Sequence, residues 1–256
     1  MRCVGMMRAA CVGAALLACA AGIARADPAL GDLSDGPASP DALRGGTGVE
    51  TFLYYSGFDL WRGGGSFYGG LQWAPGGLNS DGFTLKVLLA EGTYRYLSGA
   101  TPIRGTGLLA AILPGWRIKR DDVEIKLFAG LDLQNHRTSP DDPASSLRGS
   151  RAGLRVNAEA WWEPSPLLMV ASSVSASTIG NSFGVRAAAG WRVLDRFWIG
   201  PEIEASGDRV YRQHRVGLHI TSFRTAAFEW SLGAGYVEDN SDRAGLYGRI
   251  SVLTRR

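Results

Sequence analysis

From Thr51 to the C-terminus, apolar and polar residues alternate with a period of two. In residues 123–133 one row holds Val123, Ile125, Leu127, Ala129, Leu131 and Leu133, and the other holds Glu124, Lys126, Phe128, Gly130 and Asp132. Successive side chains of a strand point to opposite faces, so this stretch predicts a strand with one wholly apolar face. Residues 154–162 repeat the pattern, with Leu154, Val156, Ala158, Ala160 and Trp162 opposed by Arg155, Asn157, Glu159 and Trp161. Residues 185–193 and 197–205 do the same, setting Arg186 and Arg192, then Glu202 and Glu204, against apolar rows. Phe228, Trp230, Leu232, Ala234 and Tyr236 form a further apolar row.

Read in this way, the first half of the chain predicts strands near 51–61, 66–74, 83–96, 105–118, 122–136 and 149–163. The second half predicts 166–178, 182–193, 196–207, 210–221, 225–237 and 245–254. Twelve is an even number, and most of these strands reach the ~9–11 residues that cross a bilayer obliquely. The pattern points to an all-β, antiparallel up-and-down transmembrane β-barrel of about twelve strands. With the N-terminus on the periplasmic side, the long polar stretch 136–147 and the link 238–244 fall outside. The short links 119–121, 163–165, 194–196 and 222–224 fall inside, as outer-membrane barrels require. The link 74–82 is longer than that rule predicts. Trp73, Trp116, Trp162, Trp191 and Trp198 sit near predicted strand ends, where an aromatic girdle would lie.

A secreted β-sandwich, such as a carbohydrate-binding module, would also alternate. Two features favour the barrel: the polar rows are rich in Gly, Ala, Ser and Tyr, and the strands exceed the usual ~5–6 residues.

The first 26 residues have a different texture. Arg2 and Arg8 precede an uncharged apolar stretch, Ala9 to Ile23, and Ala24-Arg25-Ala26 offers a cleavage site. Residues 1–26 therefore read as a signal peptide, 27–50 as a flexible periplasmic lead-in, and 51–256 as the barrel. Leu16-Leu17-Ala18-Cys19 offers an alternative, lipidation at Cys19. Cleavage changes the charge: the chain holds 27 Lys and Arg against 24 Asp and Glu, and Arg2, Arg8 and Arg25 lie in the leader. The remainder is balanced, which removes any composition argument for nucleic-acid binding. Cys3, Cys11 and Cys19 are the three cysteines. The mature chain thus has no disulfide, thiolate nucleophile or Cys-ligated metal, and no cofactor or metal is expected.

If the apolar rows face lipid, the charged residues line the lumen: Lys86, Glu124, Lys126, Asp132, Arg155, Glu159, Arg186, Arg192, Glu202, Glu204, Arg215, Glu229 and Arg249. Balanced charges of this kind suit structural ion pairs; a pore lined by mixed charge with Tyr55, Tyr68 and Tyr247 is the alternative. His214 and His219, five apart on one strand, point to opposite faces and form no dyad, and His136 lies at a loop edge. Ser172, Ser173, Ser175 and Ser177 read as packing residues. Glu202 and Glu204 share a face, but nothing beyond proximity makes them an acid/base pair. No nucleophile elbow, zinc-protease motif or P-loop is present, so no catalytic residue is expected.

Several segments carry a family resemblance: Leu53-Tyr-Tyr-Ser-Gly-Phe-Asp-Leu-Trp61, Gly82-Phe-Thr-Leu-Lys86, Leu113-Pro-Gly-Trp116 and Phe128-Ala-Gly-Leu-Asp132. Trp161-Trp-Glu-Pro164, Gly190-Trp-Arg192, Gly200-Pro-Glu202 and Tyr211-Arg-Gln213 continue it. In this order, from about Phe52 to the C-terminus, they resemble the bacterial cellulose biosynthesis protein BcsS family. The resemblance implies a secreted envelope protein associated with cellulose production, and it brings no catalytic set. The chain departs from many outer-membrane barrels in ending Ser251-Val-Leu-Thr-Arg-Arg256, without a terminal aromatic.

The expected function is a non-enzymatic outer-membrane barrel that assists cellulose biosynthesis, export or surface organisation. Its expected partners are outer-membrane lipid and cellulose or other cellulose-synthesis envelope proteins. Glucan strands present apolar faces and hydroxyls, so Trp61, Tyr68, Gln72 and Trp161 are candidate glycan contacts. A narrow porin-like channel for small solutes is the second reading, and a lipid-modifying barrel enzyme the third.

Overall fold

The computed structural model describes residues 50–98, 101–143, 145, 147–209, 211–240 and 243–256. The expected signal peptide, its cleavage site and nearly all of the lead-in lie outside the described residues.

Twelve strands follow one another: β1 (Phe52–Trp61), β2 (Gly64–Trp73), β3 (Gly82–Ser98), β4 (Thr101–Arg120), β5 (Val123–Ser139) and β6 (Gly149–Ser165). Then come β7 (Leu168–Ser177), β8 (Phe183–Val193), β9 (Phe197–Gly207), β10 (Arg212–Thr225), β11 (Phe228–Asp239) and β12 (Ala244–Arg255). Each pairs antiparallel with the next, and β1 pairs with β12 to close the barrel. The closing seam runs from Leu53↔Arg255 to Trp61↔Tyr247. At its end the Arg256 carbonyl accepts the backbone N–H groups of Thr51 and Phe52, both at 2.7 Å. Closure leaves no free sheet edge among the described strands, which removes the usual route to edge-to-edge aggregation.

All twelve expected strands occur, with two informative differences. β3, β4 and β5 run well past their expected ends on the side away from the termini, β4 beginning at Thr101 and β5 ending at Ser139. The extra residues carry no apolar row because they rise above the lipid-facing band, where pairing continues without a need for alternation. β10 continues to Thr225 through a register shift between Ile220 and Phe223. The shift leaves Thr221 and Ser222 both buried, which interrupts the period of two that marked the strand in sequence.

The outer surface explains why the chain forms a barrel. Leu127, Leu131 and Leu133 on β5, Leu154 and Val156 on β6, and Val216 and Leu218 on β10 all face outward and are exposed. So are Leu108, Ile112, Ile203, Leu232 and Ile250 on four other strands. A soluble sandwich would bury such rows against a second sheet; a continuous apolar band of this extent belongs against lipid. On β5 the band spans 123–133, and at ~3.3 Å per residue with a tilt of ~40° it stands roughly 25 Å tall, the height of a lipid-facing belt. No helix among the described residues is long and apolar enough to span a bilayer; strands do the crossing.

Trp73, Trp116, Trp162 and Trp191 face outward near the end of the barrel that holds the termini, as a girdle requires. Trp198 does not: it points inward and is only 1% exposed. It shares strand parity with Glu202 and Glu204, while Phe197 and Ile199 take the outward positions beside it. Tight turns at 121–122, 166–167, 194–196 and 226–227 join strands at the terminus end, and the nine-residue loop 140–148 lies at the other. The long turn 74–81 folds inward, burying Ala74 and Leu78 within the barrel. The rest of the turn stays at the rim, where Pro75, Gly76, Asn79 and Asp81 are exposed.

Candidate functional site

The barrel interior holds three groups of charged side chains, and each expected lumen residue lies in or beside one of them. The largest group is built across the closing seam. Asp59 of β1 accepts from Arg215 of β10 at 2.6 Å and from Arg249 of β12 at 3.3 Å. Glu204 of β9 accepts from Arg249 at 2.6 Å and lies 3.6 Å from Arg215. Glu202 pairs with Arg186 of β8, accepts the Tyr247 hydroxyl at 2.7 Å, and lies 3.7 Å from Arg249. Three guanidiniums thus face three carboxylates. The Arg215 guanidinium also lies 5.0 Å from the Trp61 ring and 5.2 Å from that of Tyr247. A glycine makes room for Tyr247: a Cβ on Gly217 would come within 2.3 Å of its hydroxyl.

The second group sits on β3 to β6. Lys86 donates to Glu159 at 2.8 Å, and its ammonium lies 5.7 Å from the Phe128 ring. Lys126, wholly buried, lies 3.6 Å from both Glu124 and Glu159. Arg117 approaches Glu124 at 3.2 Å and donates to the carbonyl of Leu78 in the inward turn. The third group centres on Asp132, which accepts from Arg155 at 3.0 Å, Gln134 at 2.9 Å and the Ser177 hydroxyl at 2.5 Å. His136 continues it upward, with Nε2 2.9 Å from Gln134 and Nδ1 3.4 Å from the Tyr94 hydroxyl. His136 is therefore a buried residue of β5 and not a loop-edge one.

Two expected lumen residues lie at the terminus end. Arg192 is half-buried, 3.6 Å from Glu163 and stacked 4.3 Å from the Trp198 ring. Glu229 pairs with Arg255 and accepts from Arg224 at 3.0 Å.

Between these groups the interior is filled. Leu53, Tyr55, Tyr68, Leu78, Leu88, Leu109, Leu113, Phe128, Trp161, Met169, Trp198 and Leu253 belong to one buried cluster. Arg155 and Arg117 are each 1% exposed. A wide bore would expose such side chains; here they are buried and ion-paired, the arrangement in which a buried charge is tolerated.

The four candidate glycan contacts all take inward positions but are spread along the barrel. Trp61 lies beside the seam cluster under Arg215. Tyr68 is buried in the interior cluster, and Gln72 is buried and donates to Thr84 at 2.9 Å. Trp161 is at the terminus end, where its indole N–H donates to Glu163 at 2.9 Å. It borders a cleft of about 560 Å³ that Lys119, Asp122, Glu163 and Arg192 also line.

Sequence reasoning missed Asp59, Arg117, Gln134 and Leu78. Asp59 has the parity of Tyr55 and Trp61, a usable signal. Arg117 was hidden because β4 is apolar on both faces, with Leu109, Ala111 and Leu113 inside and Leu108, Ala110 and Ile112 outside.

The arrangement contains no recognisable catalytic unit. The Ser177 hydroxyl is engaged by Asp132 and the Ile179 amide, and no imidazole reaches it among the described residues. His219 and His214 face opposite ways, His219 buried with Nε2 3.1 Å from the Ala189 carbonyl. No group of His, Cys, Asp and Glu among the described residues is placed to hold a metal ion.

A closed twelve-strand barrel with an apolar outer belt and a charged interior is the outer-membrane type of β-barrel. The translocator domain of the autotransporter NalP from Neisseria meningitidis is similar in fold, with TM-score 0.53 and 12% identity over 86% of this chain and 92% of that one. A TodX deletion mutant, a monoaromatic hydrocarbon channel, is similar at TM-score 0.54 and 6% identity, over 91% and 96%. The KdgM porin aligns at TM-score 0.43 and 13% identity, over 79% and 98%. No curated protein sequence matches the chain. The family is nevertheless clear: residues 53–256 match the cellulose biosynthesis protein BcsS family, and the chain belongs to it.

Proposed function

We propose that this protein is a non-enzymatic outer-membrane barrel that supports cellulose biosynthesis by anchoring or organising the polymer or its synthesis machinery at the cell surface, not by conducting it. The observation that carries the reading is the filled lumen. Its charges are neutralised by one another, its centre is packed, and Leu78 with Arg117 occupies the terminus end. A glucan chain would have to break several buried ion pairs to pass, each break costing ~3–5 kcal/mol. Recognition therefore falls to the rims. The cleft beside Trp161, with carboxylates and Arg192 around an aromatic edge, suits a sugar chain or an envelope partner on the periplasmic side. Export through a signal peptide cleaved near Ala26 would bring the chain to the outer membrane.

The experiment is deletion in a cellulose-producing strain, complemented by the wild-type chain, with cellulose yield and placement scored. Altered placement is expected, and unchanged yield and placement would refute the role. Planar-bilayer recordings of the purified barrel are expected to show no stable conductance. A steady open level passing small ions would favour the channel reading instead.

A further inference from the structure

The outer wall carries a second feature at the end away from the termini. There the extensions of β3, β4 and β5 place Arg95, Arg104 and Arg137 on the outward face, just above the apolar belt, and all three are exposed. Arg95 and Arg104 are direct cross-strand partners. Arg137, opposite Thr106, is the diagonal neighbour of Arg104. Like charges facing one another across a ladder are destabilising, and no ion pair neutralises any of these three side chains among the described residues.

Beside them lies a groove of about 440 Å³. Phe58, Leu60 and Phe67 form its apolar side and are exposed; Arg95 and Arg104 form its upper edge, and Arg62, which donates to the Ala244 carbonyl at 2.8 Å, also lines it. Glu91 also lines it, four rungs of the ladder below the arginine pair. The groove is thus amphipathic along the membrane normal, mainly apolar at belt height, with Glu91 as its one carboxylate, and cationic above.

We propose that this groove, with Arg95 and Arg104 on its edge and Arg137 beside them on β5, binds an acylated glycolipid bearing more than one phosphate, in the leaflet at this end of the barrel. The acyl chains would lie along Phe58, Leu60 and Phe67 while the phosphates engage the guanidiniums, which bind phosphate oxygens in bidentate fashion. Charge selects the ligand. Three unneutralised guanidiniums exceed the single charge of a phosphodiester headgroup, whereas two phosphate monoesters at ~−1.5 to −2 each match them. The site rests on the proposed membrane orientation only in naming the leaflet as the outer one.

The test uses the purified full chain in detergent, with native mass spectrometry as the readout. The probes are a bis-phosphorylated, acylated disaccharide lipid, its dephosphorylated form, phosphatidylglycerol and inorganic phosphate. At least tenfold preference for the bis-phosphorylated glycolipid is expected. Replacing Arg95, Arg104 and Arg137 together by Gln should weaken it roughly 100-fold, at ~1 kcal/mol per arginine. Arg104→Gln alone should weaken it about fivefold. Arg196→Gln, in a turn on the opposite rim, should leave binding unchanged. Equal binding of the dephosphorylated lipid, of phosphatidylglycerol or of inorganic phosphate would overturn the proposal, as would an unaffected triple variant. The compact band of unheated protein in SDS reports barrel folding separately, for the wild type and each variant. Surface labelling of a cysteine placed in loop 140–148 reports orientation, so failure of either reading is distinguishable from failure of the site.

Discussion

Arg249 is the hub of the seam cluster, and its replacement by methionine gives the sharpest test of how the interior is held together. The guanidinium contacts Asp59, Glu204 and Glu202 at 3.3, 2.6 and 3.7 Å, in a site where its side chain is 2% exposed. Methionine keeps much of the volume and removes the charge, so three carboxylates remain for Arg186 and Arg215. Asp59 keeps Arg215 and Glu202 keeps Arg186, which leaves Glu204 with the 3.6 Å contact to Arg215. Removing one partner of a buried pair costs ~3–5 kcal/mol, because the other charge stays desolvated. At a urea dependence of ~2 kcal/mol/M this lowers the unfolding midpoint by about 2 M. The assay is urea titration of the refolded barrel, read by the compact band in unheated electrophoresis and by tryptophan fluorescence. The matched double variant Arg249→Met with Glu204→Gln restores two charges of each sign and should recover most of the loss. A coupling of at least ~1 kcal/mol in the cycle is expected. An unchanged midpoint in Arg249→Met, or strict additivity in the double variant, would refute a balanced and desolvated cluster.

Ala129 lies midway along the apolar row of β5, so Ala129→Arg should destabilise the barrel in bilayers by ~2–4 kcal/mol; a loss under ~0.5 kcal/mol in lipid-vesicle unfolding would argue that this face is not in lipid. Leu78, fully buried in the inward turn, should cost ~2–5 kcal/mol on replacement by Ala, measured by the same urea titration, without a stable conductance appearing. Asp81 is held below the ordinary aspartate range by its bond to Arg120, and also by the Lys119 amide. A carboxylate depressed on folding contributes stability above its ordinary range and loses it as pH falls through the depressed value. The Lys119 amide should therefore exchange hydrogen faster, relative to neighbouring amides, once pH drops below the usual aspartate range. Unchanged relative protection there would show that this contact does not tie turn 74–81 to the end of β4.

The sequence made the barrel legible because lipid on one side and a charged interior on the other impose strict alternation, and β5, β6 and β9 obey it across the belt. It failed wherever that contrast lapses. The upper parts of β3 to β5 stand clear of the belt, and the shift in β10 slides two consecutive residues inward. The inward turn at Leu78 has no periodicity to betray it. For the interior, parity assigns a face to each of the thirteen expected charges but not a partner. Pairing depends on which strands meet across the lumen, and closure brings Asp59 to Arg215, 156 residues away. Trp198 shows the limit of reading by residue type: tryptophan near a strand end suggested a girdle, while its parity placed it inside with Glu202.

The seam cluster also bears on the order in which the barrel assembles. Before β1 meets β12, Arg186, Arg215 and Arg249 stand against only Glu202 and Glu204, an excess of one positive charge. The missing carboxylate, Asp59, is carried by the first strand and arrives only when the last has been laid down. An unclosed sheet is therefore electrostatically unfinished at the edge where a foreign strand could add. A strand lacking a carboxylate at that position would leave the excess charge unpaired. Closure on a first strand that carries Asp59 is the pairing that neutralises it, so the cluster favours a closed ring over an open sheet or an unrelated strand.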